Sequence, residues 1–195
     1  MRSRLAVVGI AALAAVLIGV VAYMMMRPVR PDGSAARIGG PFTLVDTSGR
    51  TVTERDLRGK PSVIYFGFTY CPEACPTTLL AMGNWIRDLG PDADKLNFVF
   101  VTIDPERDTP AQMKLYLSAF DPRIRGFTGT PSQIARIAHA YGVYYQKAQL
   151  PGGGYTMDHS TVVYLMDAAG RYATVIAYKE TPAQAEEKLR ALVGR

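Results

Sequence analysis

Hydrophobic positions fall along this chain in three patterns, each asking for a different element. From Leu5 to Met26 the run is apolar and uncharged. At roughly 1.5 Å per helical residue it is long enough to cross a hydrocarbon core of roughly 30 Å. Ser62 to Phe68 and Phe98 to Ile103 are short continuous apolar runs, the mark of strands buried on both faces. Between and after them come turn-bounded segments. Pro41 to Val45 and Thr51 to Thr53 predict a hairpin around Asp46-Thr47-Ser48-Gly49, and Thr161 to Met166 and Tyr172 to Ile176 a second around Asp167-Ala168-Ala169-Gly170. Helices are predicted over Thr77 to Leu89, with Pro76 at the first turn, and from Asp108-Thr109-Pro110 to Phe120. Two more are predicted over Ser132 to Tyr141 and from Thr181-Pro182 to Val193.

The resulting order is hairpin, strand, helix, strand, helix, helix, hairpin, helix. Parallel strands joined by helices, then an antiparallel hairpin and a closing helix, predict a thioredoxin-like α/β sandwich, a central mixed sheet flanked by helices. The expected organisation is a short cytoplasmic tail over 1–4, a transmembrane anchor over 5–26, a Pro- and Gly-containing linker over 27–40 and one domain over 41–195. The apolar run exceeds the roughly 7–15 residues of a cleaved signal peptide and ends in Met26-Arg27 without a small-residue site. It is therefore read as an uncleaved single span, with a long signal peptide as the alternative. Arginines stand on both sides of it, so the charge rule barely orients it. A short tail before a large domain favours the tail inside and the domain in the periplasm of a bacterial inner membrane.

The pI near 9.3 changes this picture little. Of the 22 Lys and Arg, Arg2, Arg4, Arg27 and Arg30 flank the apolar run, and the remaining 18 face 17 Asp and Glu. The basicity belongs to the anchor, and no basic cluster interleaved with aromatics suggests a nucleic-acid partner.

The chemistry concentrates at the two cysteines of Tyr70-Cys71-Pro72-Glu73-Ala74-Cys75-Pro76, between a buried strand and a helix start. A helix N-terminus favours thiolate, the form that binds soft metals and attacks disulfides. The Cys-x-x-x-Cys spacing places the side chains about 5–6 Å apart on a regular helix, wider than a disulfide prefers. Pro76 argues that Cys75 lies near the N-cap and that the loop is not ideal helix. Taken alone, the pair reads equally well as a metal site or as a redox couple. His159, just before the strand starting at Thr161, favours the metal. In a thioredoxin-like fold the loop before that strand lies against the cysteine loop. Two thiolates and an imidazole suit copper, whose Cu(I) form prefers sulfur, whereas structural zinc usually takes a fourth protein ligand. Asp158 either orients His159 or caps its loop. His139 falls off the apolar face of its helix and is read as surface, and Met82, Met113 and Met166 as core. Met157 is close to His159 but is weak evidence for a ligand. A peroxidase of the peroxiredoxin kind wants Pro and Thr seven and three residues before its Cys, and here Ile64 and Phe68 stand there.

The chain also resembles the Sco/SenC family of cytochrome c oxidase assembly proteins. Matching stretches run in order from Gly40-Pro41-Phe42 to the Tyr172 strand. They include Gly59-Lys60-Pro61, Tyr65 to Pro72, Cys75-Pro76-Thr77-Thr78-Leu79, Asp104-Pro105-Glu106-Arg107-Asp108-Thr109, Gly126 to Thr130 and Asp158-His159-Ser160. Glu73-Ala74 stands where many relatives carry Asp-Val. The resemblance implies a thioredoxin-like domain on a single N-terminal anchor, binding one copper, as Cu(I) and Cu(II), through Cys71, Cys75 and His159. It further implies assembly of the dinuclear copper centre of oxidase subunit II, a partner copper domain there, and a periplasmic chaperone as copper donor. Reduction of the subunit II cysteines by the Cys71–Cys75 thiols is the competing activity. The acidic stretch Asp104 to Asp108 is open to two readings, a partner contact or cap and turn chemistry.

Overall fold

The computed structural model describes residues 16, 19, 20, 23, 38–178 and 180–194. The chain divides into Met1–Ala35 and Ala36–Arg195. In the first unit Val16, Gly19, Val20 and Tyr23 are helical and exposed, and the rest of the predicted span lies outside the described residues. No helix among the described residues is long and apolar enough to cross a membrane.

The second unit is built on a seven-stranded mixed sheet. Its strands are β1 (Thr43–Asp46), β2 (Thr51–Thr53), β3 (Ser62–Gly67), β4 (Asn97–Thr102), β5 (Ile124–Thr128), β8 (Val163–Met166) and β9 (Tyr172–Ile176), in the order β2-β1-β5-β4-β3-β8-β9. β3, β4 and β5 run parallel, with Tyr65 beside Phe100 and Val101 beside Phe127. The outer pairs are antiparallel. Every residue of β3 is buried, so both faces of the sheet are covered, which is why its sequence is continuously apolar rather than alternating.

Four helices cover the sheet: α1 (Ala74–Leu89), α2 (Pro110–Leu117), α3 (Pro131–Tyr141) and α4 (Pro182–Val193). The last three open identically. Thr109, Thr130 and Thr181 are N-caps whose hydroxyls accept from the backbone N–H of Gln112, Gln133 and Gln184, each with a proline next in line. Threonine satisfies one orphan donor and proline removes another at no cost.

Several expectations are corrected. α1 begins at Ala74, three residues before Thr77, and Cys75 lies in its first turn, two residues from the N-cap Glu73, near the cap as expected. Pro76 is tolerated there because first-turn amides have no intrahelical acceptor to lose. α2 stops at Leu117, short of Phe120. β5 is an added strand: its Arg125 and Gly126 interrupt the apolar pattern. At Gly126 the packing is close: a Cβ there would meet Leu117 Cδ1 at 2.5 Å and Thr47 Cγ2 at 3.0 Å. A second, separate sheet is also added, the hairpin β6 (Tyr145–Gln149) and β7 (Tyr155–His159), whose polar sequence carries no core signal. β8 begins at Val163 rather than Thr161, and His159 is the last residue of β7 instead of a loop residue.

Candidate metal centre

β3 ends at Gly67 and delivers the chain through Phe68, Thr69 and Tyr70 to Cys71. Thr69 is held by Asp108, which is fully buried. Its carboxylate accepts from Thr69 N–H (3.0 Å), Thr69 Oγ1 (2.6 Å) and Thr102 Oγ1 (2.6 Å). Burial still raises its pKa. Gly67 lies under Cys75, and a Cβ there would come within 2.8 Å of the Cys75 sulfur.

The N-cap of α1, Glu73, makes no side-chain cap bond. Cys71 Sγ takes that place, accepting from the Cys75 N–H at 3.3 Å. Chiefly through a hydrogen bond from the Cys75 side chain, and with backbone N–H donors, the Cys71 pKa is lowered to about 4 despite partial burial. Cys75 is fully buried, and its pKa is raised by the same hydrogen bond and by burial. The pair therefore holds one proton, on Cys75, beside a half-exposed Cys71 thiolate. Tyr65 Oη donates to Cys75 Sγ at 3.6 Å.

β7 brings His159 to the same point. Its Nε2 lies 3.7 Å from Cys75 Sγ, and its ring stands edge-on to Phe68 at 5.8 Å. Nδ1 is 2.7 Å from the carbonyl oxygen of Ser160, which can only accept, so Nδ1 carries the proton and Nε2 presents its lone pair to the cysteines. The ligand atoms of Cys71, Cys75 and His159 all lie within 4.8 Å of one another, and they form the one such metal-capable cluster among the described residues. Ligands at roughly 2.0–2.3 Å around one ion stand roughly 3.5–4 Å apart, so a single metal fits with small adjustment.

The other candidates lie elsewhere. Asp158 is exposed, opposite Gln146 in the hairpin register, and the Ser160 carbonyl rather than Asp158 holds the imidazole. His139 is exposed on α3, and Met82, Met113, Met157 and Met166 are buried in the core. In the acidic stretch Asp104 and Asp108 are buried, whereas Glu106 between them is exposed.

Against known proteins, a family model described as SCO1/SenC matches residues 30–194. The chain belongs to the SCO1/SenC family. Its SCO2-like relative from Rickettsia felis is 34% identical over 203 residues, covering 97% of this chain and 99% of the relative. ScoI of Bradyrhizobium japonicum, solved with copper bound, is 48% identical with a TM-score of 0.74, covering 80% of this chain and 99% of that one. BsSco, a member of the Sco family of cytochrome c oxidase assembly proteins in which a disulfide switch was identified, is 21% identical with a TM-score of 0.64, a likeness in fold. The chain spans about half the length of its mitochondrial Sco relatives, from 41% to 54%. For a Sco/SenC chain, the residues that sequence reasoning passed over are Gly67, Arg107, Asp108 and Tyr155. Gly67, Arg107 and Asp108 fall within the matching stretches without a role at the site there, and Tyr155 falls outside them.

Proposed function

We propose that this chain binds one copper ion through Cys71, Cys75 and His159 and passes it to the dinuclear copper centre of cytochrome c oxidase subunit II. The observation that carries the reading is the convergence of two sulfurs and one imidazole nitrogen within 4.8 Å. Thiolate and imidazole together accommodate both Cu(I) and Cu(II), and the absence of a fourth His, Cys, Asp or Glu from the cluster among the described residues argues against structural zinc. Copper is cargo here. A three-ligand site leaves a position through which a partner thiolate enters before the ion departs. The copper held by ScoI supports the cargo, and the resemblance to the Sco/SenC family of oxidase assembly proteins supports the client. The domain stands in the periplasm, tethered by the 5–26 span, and is loaded by a periplasmic copper chaperone.

A second reading rests on the protonation of the cysteine pair. A half-exposed thiolate beside a buried thiol is the arrangement of a dithiol reductant. Cys71 attacks one sulfur of a partner disulfide and displaces the other as thiolate. Cys75 then yields its proton to that thiolate and attacks Cys71, which frees the second partner thiol and leaves a Cys71–Cys75 disulfide for an external dithiol to reduce.

The two acts separate when the full chain is mixed with a subunit II copper domain and both copper loading and cysteine redox state are followed. His159→Ala is expected to lose copper delivery while keeping disulfide reduction, and Cys75→Ser to lose both. Delivery by His159→Ala equal to wild type, with copper supplied separately, would establish reduction as the act.

A further inference from the structure

The imidazole and the cysteine sulfurs come from different elements of the fold. Cys71 and Cys75 hang from the main sheet, whereas His159 ends a hairpin that is hydrogen-bonded to no strand of that sheet. The chain rejoins that sheet at Val163 of β8, four residues beyond His159, so side-chain contacts must hold the rest of the hairpin. We infer that Arg107 is the positioning residue that holds the hairpin, and so His159, at ligand distance from the cysteines. The inference rests on the copper reading above for its functional meaning.

Two hydrogen bonds and the rings of Tyr155, Tyr70 and Phe68 converge on the Arg107 side chain. Its Nε donates to Asp104, itself buried and held by Thr102 Oγ1 through its backbone N–H, so the guanidinium is fixed to the end of β4. Its Nη1 donates to the carbonyl oxygen of Tyr155, the first residue of β7, at 2.9 Å. Its guanidinium carbon lies 3.8 Å from the centre of the Tyr155 ring and 4.7 Å from that of Tyr70, the residue before Cys71. One planar cation thus contacts both the hairpin and the cysteine loop. Tyr155 Oη returns to Asp104 Oδ1 at 2.9 Å, closing a ring of Asp104, Arg107 and Tyr155.

The chemistry requires arginine. A carboxylate, a carbonyl and two aromatic faces at one point demand directed donors in a plane plus a stackable surface, which an ammonium lacks. The neighbouring Lys147–Glu106 pair also bridges hairpin to loop at 2.6 Å, but its partners are 42% and 55% exposed. Exposed pairs of that kind contribute little, so the partly buried Arg107 cluster is the principal tie. The same short loop fixes Thr69 through Asp108, so residues 104–108 align both halves of the site from one place.

The test compares wild type with Arg107→Gln as purified full chains, first without metal. Amide hydrogen exchange at Tyr155–His159 is expected to quicken by about tenfold or more while Ile64–Phe66 in β3 stays unchanged, because the hairpin opens locally. With Cu(II) added, affinity is expected to fall about 10–100-fold and the sulfur-to-copper band to shift, the effect typical of removing a group that orients a ligand. Arg107→Lys covers the case in which the Gln variant does not fold. It keeps the charge for Asp104 and loses the fork and the stacking, and its exchange and band are expected to change in the same direction. Unchanged exchange at Tyr155–His159, or an unchanged band and affinity, in a folded variant overturns the inference. A wild type that takes up no copper would overturn the copper reading alone, and the metal-free exchange would still decide the clamp.

Discussion

β3 and the β6–β7 hairpin each end at the metal centre, and they are held by opposite means. β3 is buried at every residue and paired on both sides, with Phe66 packed against Tyr141 and Tyr164. Its placement of the cysteines comes from the hydrophobic core and a strand ladder. The hairpin is largely polar, pairs only with itself, and is fixed by Arg107, Asp104 and the burial of Met157. The difference assigns different jobs to the two halves. The cysteines follow a strand buried and paired on both sides, whereas the imidazole sits on a hairpin held outside that sheet mainly by side-chain contacts. The copper delivery proposed above would draw on that asymmetry, since the ion must be both held and given up.

The largest expected effect breaks the rigid half. Phe66→Ala should lower global stability by about 3–5 kcal/mol, read from denaturant unfolding, since it empties a fully buried aromatic site. Gly67→Val should cost about 1–3 kcal/mol and displace Cys75, because its side chain meets the sulfur and Phe100. Metal titration should then show weakened copper binding. Asp108→Asn belongs to the same half. It puts an N–H₂ where three donors converge, so about 1–3 kcal/mol should be lost, with Thr69 backbone exchange accelerated. On the arm, Lys147→Ala removes an exposed ion pair and should cost less than about 1 kcal/mol by the same unfolding assay. A global loss from Lys147→Ala as large as that from Phe66→Ala would erase the distinction between the halves.

The cysteines supply a pH test of the rigid half. With the Cys71 pKa lowered to about 4, the metal-free protein should be alkylated at Cys71 at a rate nearly flat from about pH 6 upward, falling as pH drops towards 4, while Cys75 stays unmodified. The sign for stability follows. A depressed pKa stabilises the fold fully above the ordinary thiol value of 9.0, and that contribution is lost as pH falls towards about 4. The raised Cys75 pKa works oppositely, its contribution being present below 9.0 and lost above it. A labelling rate at Cys71 that rises steeply between about pH 7 and 9 would contradict the thiolate assignment.

What the sequence made legible follows the same division. β3, β4 and α1 were readable because core elements advertise themselves through apolar runs and periodicity, and the cysteines lie on the junction between them. β5 escaped because Arg125 and Gly126 break its pattern, and Gly126 is there for a close approach that only the packed structure reveals. β6 and β7 escaped because Tyr-Gln-Lys-Ala-Gln buries nothing that patterning detects. His159 was nevertheless found, through its chemistry and the resemblance to relatives, although its setting was misjudged as a loop. Arg107 was not found, since stacking between two tyrosines separated by 85 positions leaves no local signal.

The copper site needs the imidazole as much as the sulfurs. That requirement is tested most directly by loading the purified full chain and its His159→Ala and His139→Ala variants with Cu(II) and recording metal content and visible spectrum. Wild type and His139→Ala should each bind one copper per chain with a sulfur-to-copper charge-transfer band, and His159→Ala should lose the band. A wild-type band retained in His159→Ala, or a wild type that holds no copper, would contradict the account.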